Sequence, residues 1–154
     1  MIRTLLAVMI AASATQSLSA QTPITSADMA NIHPRGIGPA VTGGRVHDVE
    51  AIPNDPSTLY VASAGGGLWK SVNRGQTWTN VFDNMEVSTF GDVALAPSNP
   101  EIIYAGTGEQ QNRQSSSYGN GVYRSDDGGG TWRHLGLEET RHIGKVRIHP
   151  TNPD

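Results

Sequence analysis

The 154 residues carry 11 Lys and Arg against 14 Asp and Glu, a net charge of −3 with only 16% of positions charged, and the basic groups are scattered among the acids. That excludes the basic stripe of a nucleic-acid binder, and the absence of cysteine excludes a disulfide framework. With 18 Gly, 9 Pro and no run at amphipathic helical spacing, the chain is expected to be all-β.

Met1 to Arg3, followed by the apolar run from Leu5 to Ala12, has the basic start and short hydrophobic stretch of a secretory signal peptide over residues 1–20, with cleavage expected after Ala20 and Ala14 as the alternative site. The run is too short to anchor in a bilayer. The mature chain is therefore expected to be secreted or periplasmic, without membrane insertion. Residues 21–31 read as a polar leader. The segment His33 to Pro39 either closes a ring by pairing N- and C-terminal strands or is an irregular entry loop.

From there the chain repeats. Ala51 to Ser63 aligns without gaps on Leu95 to Thr107, and a third copy opens at Ile148. Pro53, Pro97 and Pro150 each precede a second proline by three residues, at Pro56, Pro100 and Pro153. Val49, Val93 and Val146 each precede the first proline by four. The repeat length is close to the roughly 40 to 50 residues of a four-stranded propeller blade. Blade one spans about 45–82, blade two about 91–135, and a third blade starts at about 144–154, so that 32–154 is a partial β-propeller. In blade one the strands are expected at Arg45 to Ile52, Leu59 to Ser63, Gly67 to Val72 and Thr77 to Phe82. In blade two they are expected at Gly91 to Ala96, Ile102 to Thr107, Gly121 to Arg124 and Thr131 to Leu135. Blades bury their faces only against neighbours, so the ring is expected to be completed by further blades of a longer protein or by self-association.

Each unit carries one copy of S-x-[DN]-x-G-x-T-W: Ser71, Asn73, Gly75, Thr77 and Trp78 in the first, Ser125, Asp127, Gly129, Thr131 and Trp132 in the second. The hydroxyl and the Asp or Asn oxygen can accept backbone N–H groups inside a tight loop, Gly supplies a positive φ, and Thr and Trp resume the strand. These residues are structural.

Strand polarity puts the proline turns and these boxes on one end. The second-to-third loops and the blade crossings lie on the other. There the units diverge, because the stretch from Tyr104 to Ser125 is much longer than that from Tyr60 to Ser71, the excess falling within Gly108 to Asn120. Variable loops on a rigid scaffold are where binding usually lives. The binding candidates are Arg45 at the blade entry and Glu109, Arg113 and Tyr118 in the long loop.

With its two boxes, the Gly43-Gly44-Arg45 entry, Gly66 to Ser71 and Gly106 to Glu109, the stretch from Arg35 to Asp154 resembles secreted bacterial proteins of the sortilin-like, Asp-box (BNR) β-propeller superfamily. Its relatives include sialidases, xyloglucan-cleaving endoglucanases, photosystem assembly factors and the luminal domain of sortilin. The resemblance implies fold more than function. Arg35, followed by Gly-Ile-Gly-Pro, departs from the sialidase arginine motif. The xyloglucanases carry a catalytic aspartate in a segment resembling Thr-Asp-x-Gly-Gly-x-Tyr; the matching stretch here is Ser63 to Trp69, with Ala64 in the carboxylate's place. A glycosidase of the usual kind needs two carboxyl groups. Glu109 is a weak substitute, so no catalytic residue is assigned with it excepted.

His33, His47, His134, His142 and His149 lack metal-ligand spacing, and the Asp126-Asp127-Gly128 stretch lacks alternating oxygen ligands, so neither a metal nor any other cofactor is expected. The expected function is a binding scaffold for a peptide, protein or glycan. The alternative is a xyloglucanase-like glycosyl hydrolase whose carboxylates lie mainly beyond this sequence. A second alternative is a periplasmic assembly factor.

Overall fold

The computed structural model describes Thr25, residues 44–111 and residues 113–154. The expected signal peptide, the leader and the His33 to Pro39 segment lie outside the described residues, apart from Thr25. The chain divides into Met1–Gly36 and Ile37–Asp154, and the strands among the described residues belong to the second unit.

Among the described residues, eight strands form two four-stranded antiparallel sheets, each a simple meander. The first contains β1 (Val46–Ile52), β2 (Asp55–Ser63), β3 (Leu68–Ser71) and β4 (Thr79–Asn80); the second contains β5 (Phe90–Ala96), β6 (Asn99–Thr107), β7 (Val122–Ser125) and β8 (Arg133–His134). Four-stranded meanders packed face to face are the arrangement of successive propeller blades.

The proline turns set the register. Ile52 pairs with Asp55 and Ala96 with Asn99, so each first hairpin closes over two residues, with Pro53 or Pro97 first in the turn. A register shift follows in each hairpin, because Ala51 pairs with Leu59 and Leu95 with Ile103. The second strands therefore start at Asp55 and Asn99, earlier than the sequence suggested, and bulge past their second prolines. Asp55 holds the first bulge by accepting from the Ser57 N–H at 3.2 Å, the Ser57 hydroxyl, and the Thr58 hydroxyl at 2.7 Å. Those bonds lower its carboxyl below the usual range.

The third strand of the first sheet and both fourth strands are shorter than expected, and the third strand of the second sheet is shifted by one residue. Pairing is confined to Leu68–Ser71 with Thr79–Asn80, and to Val122–Ser125 with Arg133–His134. The repeated turn consumes the rest by capturing backbone N–H groups on side chains. Ser71 Oγ accepts from Gly75 at 2.8 Å and Asn73 Oδ1 from Thr77 at 2.9 Å. In the second copy Ser125 Oγ accepts from Gly129 at 2.8 Å and Asp127 Oδ1 from Thr131 at 2.8 Å. Amides taken by side chains are not free for a ladder.

Between the sheets lies a core of Tyr60, Leu68, Phe82, Phe90, Val93, Ile103 and Tyr123, with small Ala62 and Ala105 allowing close approach. Phe82, in the crossing after β4, meets Phe90, Tyr123 and Trp132 edge-on at ring separations of 4.9, 5.0 and 5.0 Å. Polar bonds tie the same faces: Tyr60 donates to the Gly128 carbonyl at 2.9 Å, and the Trp132 indole donates to the Val81 carbonyl at 2.7 Å.

The expected third-blade opening at 144–154 contains no strand. It is held by separate bonds to the second sheet. Val146 N–H donates to Asp92 at 2.7 Å, the Tyr104 hydroxyl donates to the Pro153 carbonyl at 2.7 Å, and Arg124 binds Asp154 at 2.7 Å.

Candidate functional site

Within the repeated turns the Arg74 N–H donates to the Ser57 carbonyl and the Gly128 N–H to the Glu101 carbonyl, each at 2.9 Å near the start of β2 or β6, so the turns sit on the proline-turn end. The opposite end is built from the residues following β2 and β6 and the crossing after β8.

On leaving β6 the chain must turn sharply, and Gly108 does so at φ +89°, where a β-carbon would collide with the Arg141 carbonyl. Glu109 then closes the base of the long loop. Its N–H donates to the Ser117 carbonyl at 3.0 Å, and its carboxylate accepts the Ser117 N–H at 3.3 Å. Thr107 secures the return, donating to the Gly121 carbonyl at 2.6 Å while accepting the Asn120 N–H at 2.9 Å. Within the loop, Ser116 Oγ accepts the Arg113 N–H at 3.0 Å and donates to the Gln111 carbonyl at 2.6 Å.

Glu109 is only 4% exposed. Burying a carboxylate without a partner is costly, and here the partner is Arg45, which forms an ion pair with it from the first sheet. The loop is thus locked to the blade entry across the two sheets. Beyond Glu109 opens a cavity of about 240 Å³ lined by Gln110, Gln111, Arg113, Gln114, Tyr118 and His142, among others. The Arg141 guanidinium stacks over the Tyr118 ring at 4.7 Å, and His142 meets that ring edge-on at 5.3 Å. The Tyr118 carbonyl accepts from Thr89 at 3.2 Å, and Gly119 donates to the Arg141 carbonyl at 2.9 Å, so both neighbours of the loop help hold the ring.

The four binding candidates from the sequence are therefore neighbours: Arg45 contacts Glu109, and Glu109, Arg113 and Tyr118 line one cavity. Sequence reasoning missed Arg141 and His142. Their position in the crossing after the second blade puts them on the loop end, and that signal was available without coordinates. Ala64 is buried and donates its N–H to the Arg45 carbonyl at 2.9 Å, so no acid occupies that place. Among the described residues, no three His, Asp or Glu side chains are grouped to hold a metal.

A larger cavity, about 560 Å³, lies along the crossings and is lined by Met85, Asn120, Tyr123, Trp132, His134 and Glu138, among others. There His134 Nε2 lies 2.7 Å from the Asn120 carbonyl and its ring packs on Tyr123 at 4.6 Å. These contacts support the turn out of the long loop.

No family model matches the chain. Over 103 residues it is 30% identical to the xyloglucanase Xgh74A of Acetivibrio thermocellus, an alignment covering 53% of this chain and 11% of that protein. Among solved structures it resembles an ancestral GH74 enzyme, with a TM-score of 0.52 and 21% identity over 64% of this chain and 13% of that one. The GH74 enzyme of Niastella koreensis aligns over 58% of this chain and 13% of its own, at 27% identity and a TM-score of 0.45. The chain thus spans 11% of the length of the curated relative it matches. Its two sheets are β-propeller blades, and the chain is similar to glycoside-hydrolase propellers.

Proposed function

We propose that the protein is an exported, carbohydrate-active β-propeller of xyloglucanase-like type, in which these two blades hold glycan at the loop end. The carrying observation is the cavity beside Glu109, where an exposed Tyr118 ring stands among the side-chain amides of Gln110, Gln111 and Gln114. Sugar rings present C–H faces that stack on aromatic rings and hydroxyls that both donate and accept, and such a lining meets both needs. The identity to a xyloglucanase supports this reading over a peptide scaffold.

The same geometry argues for binding over bond cleavage at this cavity. Hydrolysis of a glycosidic bond needs an acid and a base or nucleophile on opposite sides of it, some 5 to 10 Å apart. Glu109 is the one carboxylate among the described residues lining the cavity, and it is committed to Arg45 and Ser117. Its role is to fix the loop that carries Tyr118; any catalytic pair belongs elsewhere in the ring.

Calorimetric titration of the whole protein with a panel of neutral and acidic oligosaccharides, xyloglucan heptasaccharide among them, tests the reading. Saccharide binding weakened about tenfold by Tyr118→Ala is expected, the size of one lost aromatic contact. No heat with any member of the panel would remove the proposal.

A further inference from the structure

Charge at the cavity narrows the ligand. Its carboxylate, Glu109, is already met by Arg45. Elsewhere in the described residues Arg124 and Arg133 pair with Asp126 and Lys145 with Asp92, while Lys70, Arg74 and Arg147, away from the cavity, form no ion pair. Arg113 and Arg141 make no ion pair with any acid among the described residues. Arg113 lines the cavity, and its guanidinium makes a single 3.3 Å bond to the Ser115 hydroxyl, leaving most of its donors open. Arg141 holds its guanidinium over the Tyr118 ring, 4.7 Å from its centre. One guanidinium thus lies over the exposed Tyr118 ring and a second lines the cavity that the ring enters.

We infer that the glycan held here carries a carboxylate, as a uronic acid residue does, with its ring against Tyr118 and its carboxylate on Arg113 and Arg141. This rests on the saccharide reading above and deepens it. A guanidinium matches a carboxylate through two parallel N–H donors, and the planar group keeps that fork while stacked on an aromatic ring. A neutral sugar would use the ring and the glutamine amides and leave both cations unanswered. A carboxylated sugar uses all of them.

Titration of the whole protein with trigalacturonate, with its carboxyl-reduced neutral form, and with hexaglutamate separates the possibilities. Trigalacturonate is expected to bind roughly tenfold or more tightly than the neutral trisaccharide, the size of one charge-assisted contact, with the advantage shrinking in added salt. Arg113→Gln with Arg141→Gln should bring the two sugars to equal affinity with the melting temperature unchanged; Arg113→Lys should keep part of the preference. If the two sugars bind equally to the unaltered protein, the inference fails and the saccharide reading stands. If neither sugar binds, the inference falls, and the saccharide reading falls with it only when the wider panel, xyloglucan heptasaccharide included, is silent too. Hexaglutamate binding as tightly as trigalacturonate overturns the uronic acid assignment in favour of an acidic peptide.

Discussion

The Asp48 carboxylate accepts the backbone N–H of Val93 at 3.2 Å, joining the first strand of one sheet to the first strand of the next. Asp92, at the matching place one unit on, accepts the N–H of Val146 at 2.7 Å. The device repeats because each Asp sits immediately before the valine of its own unit and reaches the equivalent valine of the following one. In the third unit the place is taken by Lys145, which turns back onto Asp92 at 2.7 Å.

Asp92 is the more buried of the two and serves both Val146 and Lys145, so Asp92→Ala should cost roughly 1 to 3 kcal/mol, the penalty for leaving a buried donor unpaired. Asp48→Ala, at a less buried site, should cost less. Urea unfolding of both variants checks the order, and equal or reversed losses would count against a latch at Asp92.

The two box tryptophans should differ in worth. Trp132 reaches the first sheet through Val81 and Phe82, whereas Trp78 is 39% exposed. The same asymmetry separates Val93, fully buried, from Val49, 56% exposed. Trp132→Ala should cost about 3 kcal/mol or more, and Trp78→Ala about 1 kcal/mol, as its area is largely in solvent already. Thermal melting of this chain decides it. Equal losses would mean that another sheet, of the same chain or of a second copy, covers Trp78.

Acid should loosen the second box selectively. Bonds from the Thr131 N–H and hydroxyl, then from Ser125, hold the Asp127 carboxyl down at about 2, below its ordinary value of 3.8. A depressed carboxyl contributes stability that is complete above its unfolded value and is lost as pH falls through the folded one, so the loss should run from about pH 4 toward pH 2. Asn73 makes the equivalent bond in the first box without a charge. Asp127→Asn should therefore flatten the melting temperature over that range while sparing the fold at neutral pH. Melting curves from pH 2 to pH 7 read this directly, and an unchanged acid slope would speak against it.

Cutting the Arg45–Glu109 pair should free the long loop. Glu109→Gln leaves a buried amide where a charged acceptor stood, and with Arg45 40% exposed the loss should be about 1 to 2 kcal/mol rather than that of a fully buried pair. Hydrogen exchange at Ser117 and Gly119 should speed up, and saccharide affinity should fall because Tyr118 loses its anchor. Adding Arg45→Met should recover part of the stability. A double-mutant cycle with no coupling would show that the two residues act independently.

The repeat, the four-stranded unit and the box turns were legible in the sequence because their bonds close over a few residues: Ser71 to Gly75, Asp127 to Thr131. Spacing alone determines such contacts. Strand polarity also placed the loop end, and with it Arg45, Glu109, Arg113 and Tyr118, on one side of the molecule. Where the second strands begin, and how short the third and fourth are, depended on competition between ladder and side-chain acceptors, which composition does not rank. Only the packing of one sheet on the other brought Arg45 onto Glu109 and Asp48 onto Val93. Those pairs lie far apart along the chain, and no local periodicity encodes them; their geometry follows from how Phe82, Phe90 and Tyr123 seat the two faces together.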